Sequence, residues 1–185
     1  MIRSLQVQAL VLASVAIFSS FGCHSFIKMK PDYTELPVDG LHNVARAIEQ
    51  AVADGVREPS LPSQDGIVLS GDAVLQSIRT RAARSELING FRDTGHAAEM
   101  RNGTIAVVHS REYKKGSRGS DRSRNALLIM SENDDRWKLY EGLVKANNFP
   151  PRSLSAVQRI FFEARIEALA PGQRYEDEDS ELISR

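Results

Sequence analysis

Apolar positions along the chain fall into four helical runs, one short alternating run and one short continuous run. The first helical run is Leu41, Val44, Ala45, Ile48 and Val52, spaced i, i+3, i+4, i+7, i+11, which predicts one amphipathic helix. Asp39 is placed to cap it and Asp54-Gly55 to end it. Residues 56–70 contain Pro59, Pro62 and Gly66 and predict a loop, with a short extended piece at 67–69. Ser70 or Asp72 caps a second helix ending at Asn89-Gly90, with Val74, Leu75, Ile78 and Ala82 inward. On this phase Arg79, Arg81 and Arg84 point mostly to solvent. The stretch Glu99-Met-Arg-Asn102-Gly103-Thr-Ile-Ala-Val-Val108 predicts a β-hairpin, since Asn-Gly supplies the two positive φ angles of a type I′ turn.

The longest signal is two helical runs joined by Phe149-Pro150-Pro151. In the first, starting at Asp121 or Ser123, Ala126, Met130, Asn133, Trp137, Tyr140 and Val144 repeat at four and three residues. That spacing suits a seam against another helix. Asn133 is the polar break in this seam, where packing should loosen. A buried Trp137 would make Trp137→Ala cost about 3–5 kcal/mol. The second run, capped by Ser153, carries Leu154, Val157, Ile160, Phe161, Phe162, Ala164, Ile166, Ala168 and Leu169 before Pro171-Gly172. Its polar stripe is narrow, so it needs cover on more than one side. The expected fold is mainly α with one β-hairpin, an α+β domain. A C-terminal antiparallel helical pair packs with the hairpin and the upstream helices.

The continuous run is Ala9–Phe18, ten apolar residues after Arg3. It is too short for a bilayer span of about 20 residues, and it fits the apolar region of an export signal. It leads to Ser19-Ser-Phe-Gly-Cys23, and Cys23 is the single cysteine in 185 residues. Small residues before that cysteine resemble the lipobox of bacterial lipoproteins, in which the thiol is acylated and the signal removed. The expected organisation is a signal at 1–22, a lipidated tether at 23–38 and two helices at 39–90. A hairpin-plus-helical-pair domain at 91–172 and an acidic, disordered tail at 173–185 complete it. The open alternative is an ordinary cleaved signal with an incidental cysteine.

Charge adds less. Lys+Arg and Asp+Glu are both 24, so nothing points to nucleic acid. Residues 111–120 are cationic and rich in Gly and Ser, and predict a flexible loop without a phosphate-loop pattern. His96, Glu99 and His109 are spaced too loosely to predict a metal site, and no nucleophile–base pair or paired carboxylates stand out, so no catalytic residue or cofactor is expected. A lone cysteine supplies neither a disulfide framework nor a cysteine-rich zinc site.

Further residues carry a resemblance. Gly95-His-Ala-Ala-Glu99-Met-Arg-Asn102-Gly103 is followed by Asn125, Arg136, Tyr140, Leu143, Asn148, Pro150, Val157, Ile160, Ala168 and Pro171-Gly172. Their order and spacing over residues 88–176 resemble the YdbL-like family of small bacterial envelope proteins, a domain of unknown function. Ala98 and Thr104 depart from that family's pattern, which has a second glycine and an aromatic there. The resemblance implies an exported protein without catalytic residues that helps or regulates a large, lipid-carrying envelope assembly. The combined expectation is a lipoprotein facing the periplasm, held to a membrane through Cys23 and bound to an envelope partner. His24 stands where some bacteria use aspartate to keep lipoproteins in the inner membrane, which favours the outer one. Asn102, Gly103, Phe161, Phe162 and Ile166 are the candidate interaction surface. The alternatives are a lipid-binding carrier that uses the apolar helical groove, or an enzyme modifying peptidoglycan or lipid.

Overall fold

The computed structural model describes residues 30–61 and 66–185. The signal segment and Cys23 lie outside the described residues. Helix α1 spans Val38–Ala53 and buries Leu41, Val44, Ala45, Ile48 and Val52, as their spacing predicts. It ends at Asp54, followed by Gly55 at φ 71°. Helix α2 spans Asp72–Asp93, one turn past the expected stop at Gly90. Beyond the glycine, Phe91 is buried in a small apolar cluster with Ile88, and that burial carries the helix on to Gly95, where φ is 71°.

Strands β1 (Ala97–Glu99) and β2 (Ile105–Val107) form the expected antiparallel hairpin. The turn differs from type I′. Only Gly103 has a positive φ, 83°. The Gly103 N–H donates to the Met100 carbonyl, and the Met100 N–H donates to the Thr104 carbonyl, as in a turn closed by a glycine bulge. A Cβ on Gly103 would lie 3.1 Å from the Tyr140 ring and from Gln158, so the site demands glycine for space as well as for φ.

Two segments expected to lack structure are ordered. Within the basic stretch, Arg111–Gly116 forms helix α3, capped by the Ser110 hydroxyl accepting from the Tyr113 N–H. The buried Tyr113 ring packs against Phe91 and His96 and anchors it. One aromatic among cations gives no apolar period, which is why this helix reads as a loop. The acidic tail forms β3 (Arg174–Glu176) and β4 (Leu182–Ser184). Strand β3 runs parallel to β1, so the sheet order is β2-β1-β3-β4. Side chains tie this segment down. Gln173 donates to Asp93 at 2.7 Å, and the Glu176 carboxylate accepts from the Arg101 N–H at 3.0 Å.

Helix α4 spans Gly119–Ala146 and, after a three-ten turn at Pro151–Ser153, α5 spans Leu154–Glu167. These are the two expected C-terminal helices, but each has a nearer partner than the other: α4 packs chiefly on α2, and α5 on α1. The main core joins Leu41, Ile48, Ile78, Leu139, Leu143, Ile160 and Phe161 across all four.

The inward face of α4 is not the expected seam. Ile129, Glu132, Asp135, Arg136, Leu139, Tyr140 and Leu143 are buried, whereas Met130 and Trp137 are 65% and 44% exposed. The apolar repeat and the buried face differ by part of a turn because three of the seven buried residues are charged. Asn133 does not loosen the packing. Its side-chain amide accepts from the Ile105 N–H at 2.8 Å and donates to the Ile105 carbonyl at 2.9 Å, completing the free edge of β2. Asn147, the residue that caps the C-terminal end of α4, treats Val68 in the same way, at 2.7 and 3.1 Å. No helix among the described residues is long and apolar enough to cross a membrane.

Candidate functional site: a closed ring of buried arginines and glutamates

Six ionised side chains from five elements meet between the main core and the hairpin cluster. They alternate in charge and close on themselves. Arg81 of α2 reaches Glu49 of α1 at 2.7 Å and Glu132 of α4 at 2.9 Å. Arg136 of α4 reaches the same Glu132 at 2.8 Å and Glu99 of β1 at 2.7 Å. Arg165 of α5 completes the circle, with 2.9 Å to Glu99 and 2.9 Å to Glu49. All six are at most 5% exposed.

The positions follow from helical phase. Glu132 and Arg136 are one turn apart on the face that also buries Ile129, Leu139 and Leu143. Arg81 shares its face with Ile78 and Ala82, and Arg165 follows Phe161 and Ala164. Each arginine offers a planar fork of donors that suits two carboxylates at once. Outside the circle, Arg92 also pairs with Glu99. Arg84 pairs with Glu132 at 3.3 Å and with Asp135 at 2.6 Å.

The ring holds the hairpin loop. The Gly103 carbonyl accepts from the Tyr140 hydroxyl at 2.8 Å and from an Arg165 Nη at 2.9 Å. A buried carbonyl with strong donors lacks the drive to rearrange into solvent. The loop base is thereby fixed, while Asn102 stays exposed at the tip, its Oδ1 accepting from Thr104.

Burial alone pushes the carboxyl pKa values up. In Glu99 this is outweighed by Arg136, Arg92 and Arg165, which hold it well below the usual carboxylate range. Glu49, beside Arg81 and Arg165, and Glu132, beside Arg81 and Arg136, are also lowered against their burial. Burial pushes the Tyr140 hydroxyl up, so it stays a donor. These carboxylates are saturated by guanidinium donors and carry no proton to give near neutral pH. The arrangement fixes geometry; it offers no base poised for transfer. Beside it opens a cavity of about 280 Å³ lined by Arg81, Arg92, Arg165, Glu49, Glu132 and Ser85 among others. Arg92 Nε is buried without a hydrogen-bond partner among the described residues.

The residues singled out from sequence separate here. Gly103 is buried and serves the ring. Phe161 and Phe162 are 0% and 3% exposed, so they belong to the interior and not to a binding surface. Helix α1 and the sheet cover the side of α5 that needed cover. Ile166 is half-buried and Asn102 exposed. His96 packs on Tyr113 with ring centroids 4.9 Å apart, and Glu99 is taken up by arginines. No three metal-ligating side chains come together among the described residues.

Helical phase alone misplaced Arg81 and Arg84. Arg81 is fully buried and Arg84 packs along the α2–α4 contact. The signal that could have found the ring was present: Glu132 and Arg136 continue the phase of Ile129, Leu139 and Leu143, charges where a heptad would hold leucine. No family model, no curated protein and no solved structure matches this chain.

Proposed function

We propose that this protein is a lipid-anchored interaction module of the bacterial cell envelope, a helper or regulator of a larger envelope assembly, with no catalytic role of its own. One observation carries the reading. Of the residues that suggested the envelope family, Glu99, Gly103, Arg136 and Tyr140 are the ones that meet at the ring and loop base. A motif built of donors, acceptors and a glycine that fit one another is a mount for a loop, with Arg101 and Asn102 presented beyond it. A rigid, preformed loop loses little entropy on binding, which suits recognition.

Two measurements test the reading. A photo-crosslinking residue at Asn102 in cells is expected to capture a discrete envelope partner, and the same probe at exposed Lys138 to capture less. Equal or absent crosslinking at both would remove the interaction module. Labelling with a palmitate analogue is expected to depend on Cys23, and label retained in Cys23→Ala would remove the anchor.

A further inference from the structure

The chain has no net charge, yet one stretch is strongly cationic. Between Arg111 and Arg124 stand six cations against two acids. Arg111, Lys114, Lys115 and Arg118 are exposed on α3 and at the head of α4, and none has an acidic partner among the ion pairs of the described residues. Their display is ordered: Tyr113 buries the underside of α3, and Arg122 staples it to α4 by donating to the Ser117 carbonyl at 2.5 Å and the Lys114 carbonyl at 3.3 Å. Just beyond the cations on the open face of α4 lie Leu127 and Met130, 64% and 65% exposed.

The described chain begins elsewhere, beside a patch of mixed charge. Glu176, Asp177, Glu178, Asp179 and Glu181 crowd the β3–β4 turn. Glu176 and Glu178 share a groove with Lys30 and Pro31. Arg152, just past the C-terminal end of α4, pairs with Asp32 and Glu35 at 2.9 Å each. Helix α4, 28 residues or about 42 Å long, runs from the cationic corner toward Arg152 and its partner Asp32. The described chain therefore begins toward the end of α4 away from the cationic corner.

We propose that the α3–α4 corner docks on an anionic lipid surface other than the one holding the anchor. Exposed cations beside exposed leucine and methionine suit a bilayer interface, where charge attracts and apolar side chains enter the headgroup region. The inference rests on the anchored reading above.

The test uses the full chain carried in phosphatidylcholine vesicles, mixed with a second vesicle population containing phosphatidylglycerol. Clustering is followed by light scattering. The expected result is clustering with the anionic population, none with phosphatidylcholine alone, and suppression by added salt. The combined K114E/K115E/R118E variant should fold normally, because these side chains are exposed, and should cluster vesicles about tenfold more slowly or less. Clustering indifferent to vesicle charge, or unchanged in the variant, would overturn the proposal. So would co-flotation of the chain with its carrier vesicles without clustering, which leaves the anchored reading standing. Failure to co-float would overturn both.

Discussion

Helices α4 and α5 follow each other in the chain and both cross the interior, but they bury different chemistry. The buried face of α5 is Ala156, Val157, Ile160, Phe161, Phe162 and Ala164, with one charge, Arg165. That of α4 alternates Ile129, Glu132, Asp135, Arg136, Leu139 and Leu143. Apolar contact is non-directional and scales with area, at about 25 cal/mol per Å², so α5 can shift or accept another apolar shape at modest cost. A buried ion pair tolerates neither. Its attraction roughly offsets its desolvation when the geometry is good, and losing one partner strands the other. Helix α5 therefore supplies cohesion, and α4 supplies register. The contrast can be broken at either helix.

The largest effect is expected from Arg136→Ala. It leaves Glu99 and Glu132 each short of a buried partner, and such losses cost about 3–5 kcal/mol. Urea denaturation reads this directly. Arg136→Lys should recover little, since one ammonium cannot reproduce a fork that bridges two carboxylates. Full recovery by lysine would mean that charge alone, and not register, is what the ring contributes.

Acid should act on the same element. Glu49, Glu99 and Glu132 are held below their ordinary range in the folded state. A group with a depressed folded pKa contributes stability that is present above its unfolded pKa, about 4.3 for glutamate, and lost as pH falls through the folded value. Stability from the ring should thus be flat at neutral pH and decline progressively below about pH 4. In Arg136→Ala, where Glu99 and Glu132 lose a cation, the decline should begin at higher pH. Coincident acid profiles for the two proteins would detach the ring from acid sensitivity.

The difference between the helices also decides what was legible. Helix α5 and helix α1 announce themselves because what they bury is apolar and periodic. The hairpin was legible from Asn102-Gly103, although its turn type was not, and the need for glycine at 103 also comes from Tyr140 and Gln158 close against it, residues distant in sequence. Helix α4 was legible as a helix but not in phase. A reading that sorts residues by polarity places Arg136 outside and Trp137 inside, and both placements are wrong. Only knowledge of where Glu49, Arg81, Glu99 and Arg165 converge reverses them. Strands β3 and β4 were hidden for a related reason: an acidic segment forms a sheet when β1 is there to pair with it.

Smaller effects separate the supporting roles. Asn133→Ala removes both bonds to the backbone of Ile105 at the sheet edge. Leaving that pair unmet should cost about 1–3 kcal/mol and speed hydrogen exchange at the Ile105 amide. Exchange unchanged there would show that water replaces the asparagine freely. On α5, Phe161→Leu keeps an apolar side chain in an apolar site and should cost only about 1 kcal/mol, against the larger loss at Arg136.

The smallest effect is expected at Trp137, the residue polarity alone would rank as most critical. It lies on α4 one position from Arg136, yet it is 44% exposed and its indole N–H donates to Glu141 at 2.7 Å on the outer face. Surface substitutions away from buried features stay within about 0.5 kcal/mol, so Trp137→Ala should leave the urea midpoint almost unchanged. As the single tryptophan, it reports on itself: its fluorescence should be quenched readily by acrylamide in the folded protein. Resistance to quenching together with a loss of several kcal/mol on substitution would return Trp137 to the interior and rotate α4 about its axis. That rotation would carry Glu132 and Arg136 out of the ring, so this mild substitution tests the charged face of α4 from its opposite side.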